Sequence, residues 1–156
     1  MKVKKMMMLT FASAVLLLSG CEKENGENGN SDANIDYEEG ALQVGLPTQF
    51  SNNIYFKMYV GVDKNFYAQN SSISGLGIFS CDICSVGEVN GLSSITVIPG
   101  DWFESVAIVQ GYGYVGRSTR EGYGEKYYSR FFVTDIVKDS NGDWLAVKIR
   151  YARLDY

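Results

Sequence analysis

The chain has 156 residues, among them 14 Lys or Arg, 18 Asp or Glu and no His, which gives a formal net charge of −4 at pH 7. The absence of histidine excludes Ser-His-Asp and Cys-His nucleophilic catalysis, histidine metal sites and the commonest general base. The chain has no excess of basic residues that would suggest nucleic acid as a partner.

The chain begins with the pattern of a bacterial lipoprotein signal. Met1–Lys5 is basic, and Met6–Leu18 is an apolar run that is too short to span a bilayer but has the length of a signal-peptide core. Leu18-Ser-Gly-Cys21 follows and resembles the lipobox, in which small residues fit the peptidase and the Cys thiol takes the diacylglyceryl group. We therefore expect residues 1–20 to be a cleaved signal peptide and Cys21 to be lipidated and anchored in the membrane.

An acidic segment follows this cysteine. Residues 22–40 contain seven of the 18 acidic residues and one base, Lys23, and they are rich in Asn and Gly. Such a composition buries too little apolar surface to fold, so we expect residues 21–40 to be a flexible tether. Acidic residues directly after the cysteine resemble the surface-export signal of Bacteroidetes lipoproteins, and a solvated spacer is the alternative. We expect an outer-membrane lipoprotein that is either exposed at the cell surface or faces the periplasm.

Residues 41–156 are predicted to form a single β-rich domain. Apolar and polar residues alternate along Ile54–Val62 and Leu145–Tyr151, which is typical of strands with one buried face. Asn141-Gly142, between two strand candidates, predicts a hairpin turn with positive φ at both residues. Asp101-Trp-Phe-Glu104 fits a capping box and predicts one or two helical turns.

Four further segments are candidate strands: 78–89, 95–98, 106–117 and 127–137, the last of which also fits a helical spacing. Glycine is frequent and the two prolines lie at the boundaries of apolar runs, which suits a meander of short strands. The predicted fold class is all-β, mainly antiparallel and arranged as a sandwich or partly open barrel, with at most one or two short helical turns.

Two motif matches suggest ligands but are better explained by strands and turns. Gly111, Gly113 and Gly116 have the Gly-x-Gly-x-x-Gly spacing of dinucleotide-binding loops, but the residues after them have no apolar helical face. Paired glycines in a strand instead let a neighbouring group approach closely. The Asp-x-Asn-x-Asp spacing at residues 139–143 matches a calcium loop only in part, since its glycine is misplaced and the closing Glu is missing. We therefore predict neither a cofactor nor a metal site.

Cys81-Asp-Ile-Cys84 is a Cys-x-x-Cys motif in a protein that we expect to be exported. Redox activity needs such a pair at the start of a helix, but the flanking residues here favour a strand. Zinc needs four ligands, and two thiols supply half of them. The motif therefore favours buried thiols or a local structural disulfide, although residues three apart in a straight strand point to opposite faces.

Several runs of the domain resemble a family of small lipoproteins from Bacteroides and its relatives, a domain of unknown function. The matching runs are Ser85–Ser93, with its Val-Gly-Glu-Val-Asn-Gly-Leu sequence, Ile98–Trp102, Val106–Val109 and Gly111–Tyr114. The resemblance covers roughly residues 54–151, and the two cysteines are outside its pattern. It implies an envelope location and a β-rich fold, and it transfers no catalytic residue.

Two classes of function remain open from the sequence. A non-catalytic binding module for a glycan or an envelope protein is favoured by aromatic residues near glycines, which suit sugar faces. The candidate ligand-binding aromatics are Trp102, Tyr112, Tyr114 and Tyr123, in a cluster that also includes Tyr127 and Tyr128. The alternative is a hydrolase that uses carboxylate or tyrosine chemistry, which would need a pocket containing Glu104, Glu121 or Glu125. We assign no catalytic residue.

We expect Cys21→Ser to leave the protein uncleaved or released from the membrane fraction, because serine cannot form the thioether. Cys84→Ser is the matched control and should stay in the membrane fraction. Fractionation and mass spectrometry of the mature N-terminus measure the effect, and an unmodified mature N-terminus in the native protein would rule out the anchor.

Overall fold

The computed structural model describes residues 32, 35–50 and 54–156, so the expected signal peptide, Cys21 and most of the tether lie outside the described residues. The regular secondary structure of the described residues is almost entirely β-strand, with 58% strand and 2% helix, which confirms the predicted fold class. The strands are β1 Glu38–Gln43, β2 Thr48–Gln49, β3 Lys57–Val60, β4 Asn65–Gln69, β5 Ser71–Ile73, β6 Gly77–Glu88, β7 Ser105–Ala107, β8 Tyr112–Arg120, β9 Lys126–Lys138 and β10 Trp144–Leu154. One turn of 3₁₀ helix, Leu92–Ser94, is the helical element of this part of the chain.

The strands form two antiparallel sheets that curl towards each other. The six-stranded sheet has the order β1-β10-β9-β8-β6-β5, and the four-stranded sheet has the order β2-β3-β4-β7. One isolated bridge links Val44, just after β1, to Val60 of β3, and another links Ile83 of β6 to Phe103, two residues before β7. The result is a sandwich that is partly closed into a barrel.

The main core fills the space between the sheets. Phe56, just before β3, and Met58 and Val60 of β3 pack in the core with Phe131 and Ile149 of the large sheet, and each of these side chains is at most 1% exposed. Full burial of such a side chain stabilises the fold by about 1.5–3 kcal/mol. The alternation of apolar and polar residues therefore correctly predicted which faces of these strands are buried. Within the predicted strand Ile54–Val62, Val62 is an exception at 87% exposed, because β3 ends at Val60 and the chain turns.

A second, smaller core lies on the outer face of the six-stranded sheet. Residues 89–104, which we call the cover loop, cross this face and bury Leu92 and Ile95 against it. On the sheet side the smaller core contains Val115, Ala152 and Leu154. A Cβ atom on Gly113 would lie 2.7 Å from Ile95 Cδ1, so the cover loop can pack here only because β8 has a glycine. The glycine motif thus serves close packing.

The cover loop also accounts for two wrong predictions. Residues 101–104 form no helical turn, because Phe103 pairs with Ile83 of β6 through N···O distances of 3.1 and 2.8 Å. Residues 95–98 form no strand, because Ile95 turns into the smaller core. The candidate strand at 106–117 divides into β7 and β8 around a turn at Gly111, whose φ is 82°. Residues 127–137 are strand as predicted.

The β9–β10 hairpin turn differs from its prediction. Gly142 has a φ of 86°, but Asn141 is not in the positive-φ region, and Gly142 N–H donates to the Asp139 carbonyl at 3.1 Å. Asp139 Oδ1 accepts hydrogen bonds from the amides of Asn141 and Asp143 at 2.8 and 2.9 Å, so its carboxylate shapes the turn. A register shift follows the turn, which leaves Leu145 exposed at 51% instead of buried as predicted.

The folded domain begins earlier than the predicted boundary at Ala41. Strand β1 starts at Glu38, inside the predicted tether, and pairs with β10. Composition predicted a coil because the acids have no apolar surface to bury, but they find specific partners on β10 instead. Glu38 Oε2 accepts a hydrogen bond from the Tyr151 hydroxyl at 2.6 Å, and Glu39 Oε1 lies 3.0 Å from Arg150 Nε.

We expect Ile149→Ala to lower the free energy of unfolding by about 2–5 kcal/mol, because Ile149 is 1% exposed and its removal leaves a cavity. Lys148→Ala, the neighbouring control, should stay within about 0.5 kcal/mol, because its ion pair with Asp135 is half exposed. Denaturant melts of both variants measure this. An equal or larger loss from Lys148→Ala would show that the basic face of β10 is the buried one.

Candidate binding surface

Three aromatic rings form a row across the outer face of the six-stranded sheet. Trp102 comes from the cover loop, Tyr128 from β9 and Tyr156 from the residues after β10. The ring centroids of Trp102 and Tyr128 are 6.0 Å apart, and those of Tyr128 and Tyr156 are 6.5 Å apart. We call these three residues the ring row. Its members are half-buried or exposed, so the row offers apolar ring surface to solvent.

The ion pair between Arg117 and Asp82 holds the Trp102 indole at one end of the ring row. The Arg117 guanidinium carbon lies 4.5 Å from the centroid of the Trp102 ring, a cation–π contact. Asp82 holds this guanidinium through Oδ2, which accepts from Arg117 Nη2 at 2.6 Å and from Nε at 3.1 Å. Both partners of the ion pair keep part of their surface exposed, at 24% and 30%. The indole therefore stands beside polar groups that can exchange hydrogen bonds with a ligand.

A shallow cavity of about 190 Å³ borders the other end of the ring row, next to Tyr128 and Tyr156. Lys126, Arg153 and Asp155 add polar groups to its wall. Arg153 Nε and Asp155 Oδ1 are 2.8 Å apart, so these two charges largely compensate each other. Both ends of the row thus combine rings with paired charges, an arrangement that suits a neutral, hydroxyl-rich ligand better than a strongly charged one.

The four predicted ligand-binding aromatics do not lie on one surface. Trp102 belongs to the ring row, but Tyr112 and Tyr114 point to the opposite face of the sheet, because residues two apart in β8 share a face. Tyr123 is 69% exposed at the tip of the β8–β9 hairpin, where its ring stacks on Arg120 at 4.0 Å. Sequence reasoning missed Tyr156, which has no strand pattern around it that could have placed it.

Tyr114 is a core residue, and its prediction as a ligand-binding residue is wrong. Its side chain is fully buried at 0% exposed. The hydroxyl donates to the Ala107 carbonyl at 2.9 Å and accepts from the Val109 amide at 2.8 Å, which fixes the β7–β8 turn. Burial raises the pKa of Tyr114 to about 12.

Tyr59 and Tyr67 form a further aromatic pair on the outer face of the four-stranded sheet. Their rings stack with centroids 4.9 Å apart and planes 11° apart, and the Tyr67 hydroxyl donates to Asp63. Because each ring covers a face of the other, this cross-strand pair stabilises the β3–β4 hairpin and offers little ring face to a ligand.

The two cysteines of the Cys-x-x-Cys motif are free thiols, so the local disulfide is not formed. Cys81 faces the main core, whereas Cys84 faces outwards, because β6 runs straight through the motif. Burial raises the pKa of both thiols, which keeps them protonated and unreactive. The alternative of buried thiols is the one that the geometry favours.

The carboxylates expected for a hydrolase do not converge. Glu104, Glu121 and Glu125 are all exposed. Glu121 accepts from the Ser80 hydroxyl at 3.0 Å, and Glu125 pairs with Arg120 at 3.3 Å. Each of these two acids is therefore engaged by a different surface group, and the described residues contain no cluster of three or more potential metal ligands.

A cavity of about 370 Å³ elsewhere does hold two acids and two tyrosines, Tyr37 and Tyr151. It lies at the edge of β1 and β10 and is lined by Asp36, Glu38, Tyr151 and Arg153, among others. Burial, and then the hydrogen bond to Glu38, raise the pKa of Tyr151 to about 12. Tyr151 therefore keeps its proton near neutral pH and is a poor nucleophile.

Comparisons with known proteins give no relative: no family model, no curated protein and no solved structure matches the chain. In the described part of the chain, no helix has the length and hydropathy needed to cross a membrane.

We expect Tyr114→Phe to lower the free energy of unfolding by about 1–3 kcal/mol, because the Ala107 carbonyl and the Val109 amide lose their buried partner. Tyr112→Phe is the control, a half-buried tyrosine on the same face of β8, and should stay within about 0.5 kcal/mol. Thermal or denaturant melts decide this. Two variants of equal stability would contradict the structural role of the Tyr114 hydroxyl.

Proposed function

We propose that this protein is an envelope lipoprotein, anchored in the outer membrane through Cys21, whose domain is a non-catalytic binding module for glycans. The observation that carries the proposal is the ring row, with the Arg117–Asp82 pair at its Trp102 end. The lipobox and the short apolar run before it support the anchor.

A glycan fits the ring row for physical reasons. Sugar rings present apolar CH faces that pack on aromatic rings, and rigid Trp and Tyr side chains provide this contact at a low cost in conformational entropy. The hydroxyl groups of a sugar need donors and acceptors beside the rings, which Arg117 and Asp82 supply. Rings about 6 Å apart contact successive parts of an extended chain, so we expect an oligosaccharide rather than a monosaccharide. The other partner that we consider is an envelope protein, whose binding would not depend on sugar hydroxyl groups beside the rings.

The second candidate function is a hydrolase that uses carboxylate or tyrosine chemistry. The cavity with Asp36, Glu38 and Tyr151 is the observation that favours it, because acids two residues apart in an extended segment share a side. The protonated state of Tyr151 and its hydrogen bond to Glu38 weigh against it. Hydrolase activity would be established if the native protein released reducing sugar and Glu38→Gln abolished this release.

The test of glycan binding uses the native protein on an array of bacterial and host polysaccharides, followed by calorimetry on the glycans that bind. Trp102→Ala and Tyr128→Ala should each weaken binding about tenfold, as the loss of one stacked ring does. Tyr123→Ala is the matched control, since its exposed ring lies outside the row, and it should leave affinity unchanged.

The same array gives the outcomes that would overturn this proposal. Binding that survives both ring-row substitutions would place the ligand elsewhere on the domain. An array on which no glycan binds would leave the envelope-protein partner as the better proposal. Equal losses from Trp102→Ala and Tyr123→Ala would point to general destabilisation, which melts of the two variants would show.

A further inference from the structure

A buried carboxylate joins three parts of the molecule on the outer face of the six-stranded sheet. The side chain of Asp32, from the N-terminal segment, is 0% exposed. Its Oδ1 accepts a hydrogen bond from the backbone amide of Ser93, in the 3₁₀ turn of the cover loop, at 2.8 Å. Its Oδ2 lies 3.2 Å from Nη1 of Arg150 on β10. One side chain therefore connects the tether, the cover loop and the sheet.

Two arginines form the sheet side of this pocket. The register of β9 and β10 pairs Arg130 with Ala152 and Phe132 with Arg150, so the two arginines are diagonal neighbours on the outer face. Arg130 donates from Nη1 to the Ile95 carbonyl at 3.3 Å, whereas its Nε is buried and has no hydrogen-bond partner within the described residues.

Two like charges in a partly buried site need a nearby negative charge. Burial lowers the pKa of Arg130 from its ordinary value, and the charges of Asp155 and Asp32 oppose that change. Arg150 has a second acid in Glu39, which is 65% exposed at the rim of the pocket. The carboxylate of Asp32 is the one that is fully buried between the sheet and the cover loop.

We propose that Arg150 and the backbone amide of Ser93, with Arg130 beside them on the sheet, form a carboxylate-binding pocket whose resident ligand is a side chain of the tether. Asp32 is that ligand, and its docking holds the cover loop, and with it Trp102, in position. The step from the cover loop to the ring row rests on the function proposed above, whereas the pocket itself does not.

The geometry confines the effect of losing the Asp32 carboxylate to its immediate surroundings. When Asp32 leaves, Arg150 still has Glu39 at 3.0 Å, and its guanidinium lies 5.1 Å from the centroid of the Tyr37 ring. The main core is on the other face of the sheet and contains none of these groups. Ser93 lies in the cover loop and its amide donates to Asp32, so the loss of protection is expected in the cover loop.

The test is hydrogen–deuterium exchange of the native full chain, read by mass spectrometry. Asp32→Asn should reduce the protection of peptides from residues 91–104 about tenfold, because the ion pair is lost and the turn at Ser93 opens more often. Peptides from β8 and β9 in the same sample should stay protected and serve as the internal reference. Asp36→Asn is the matched control, since it removes the same charge from an exposed position in the same segment.

The outcomes separate this inference from the proposed function, because the exchange measurement needs no glycan. Equal protection in native protein and Asp32→Asn would overturn it. A uniform loss that includes β8 and β9 would also overturn it, because Asp32 would then stabilise the whole fold.

The coupling to Trp102 has its own readout. In a Trp144→Phe background, which leaves Trp102 as the single tryptophan, Asp32→Asn should shift the indole emission to longer wavelength as the ring gains solvent. Unchanged emission together with a loosened cover loop would refute the connection to the ring row.

Discussion

The six-stranded sheet is apolar on both faces, and the rest of the structure depends on covering both. In β9, Phe131 faces the main core and Phe132 faces the smaller one. In β8, Tyr114 and Val115 divide in the same way. The four-stranded sheet covers the inner face, and the cover loop covers the outer face. The described residues contain no α-helix and no third sheet that could cover the outer face, so an irregular segment covers it.

This constraint also explains where the candidate binding surface lies. The cover loop protects the middle of the outer face, and Trp102 comes from the part of this loop that leads to β7. Beyond it the face is polar, with Arg117 and Asp82 side by side on β8 and β6. The ring row is therefore the margin between a covered apolar area and a solvated polar one. Aromatic side chains suit such a margin because each has an apolar body, and Trp and Tyr add a polar tip.

Local patterns in the sequence predicted the strands and the inner core, because alternation reports which face of a strand is buried. They could not predict the smaller core on the outer face. Its apolar residues also alternate along the strands, and nothing in the sequence indicates which segment covers them. The conformation of the turn at Asn141 depends on the Asp139 carboxylate. The exposure of Leu145 depends on a register shift between β9 and β10. Of the ring row, the predicted aromatic cluster contained Trp102 and Tyr128, but it did not contain Tyr156. Tyr156 and Asp32 reach the outer face through tertiary contacts that no spacing encodes.

The central claim is that the outer face of the large sheet is the ligand-binding face, and nuclear magnetic resonance of the two indole N–H groups tests it most directly. The chain has two tryptophans, Trp102 in the ring row and Trp144 at the start of β10, so Trp144→Phe assigns both signals. On titration with a pool of oligosaccharides, the account predicts that the Trp102 signal moves with ligand concentration while the Trp144 signal stays in place. A moving Trp144 signal with Trp102 unchanged, or perturbed amides confined to the cavity around Glu38 and Tyr151, would contradict it.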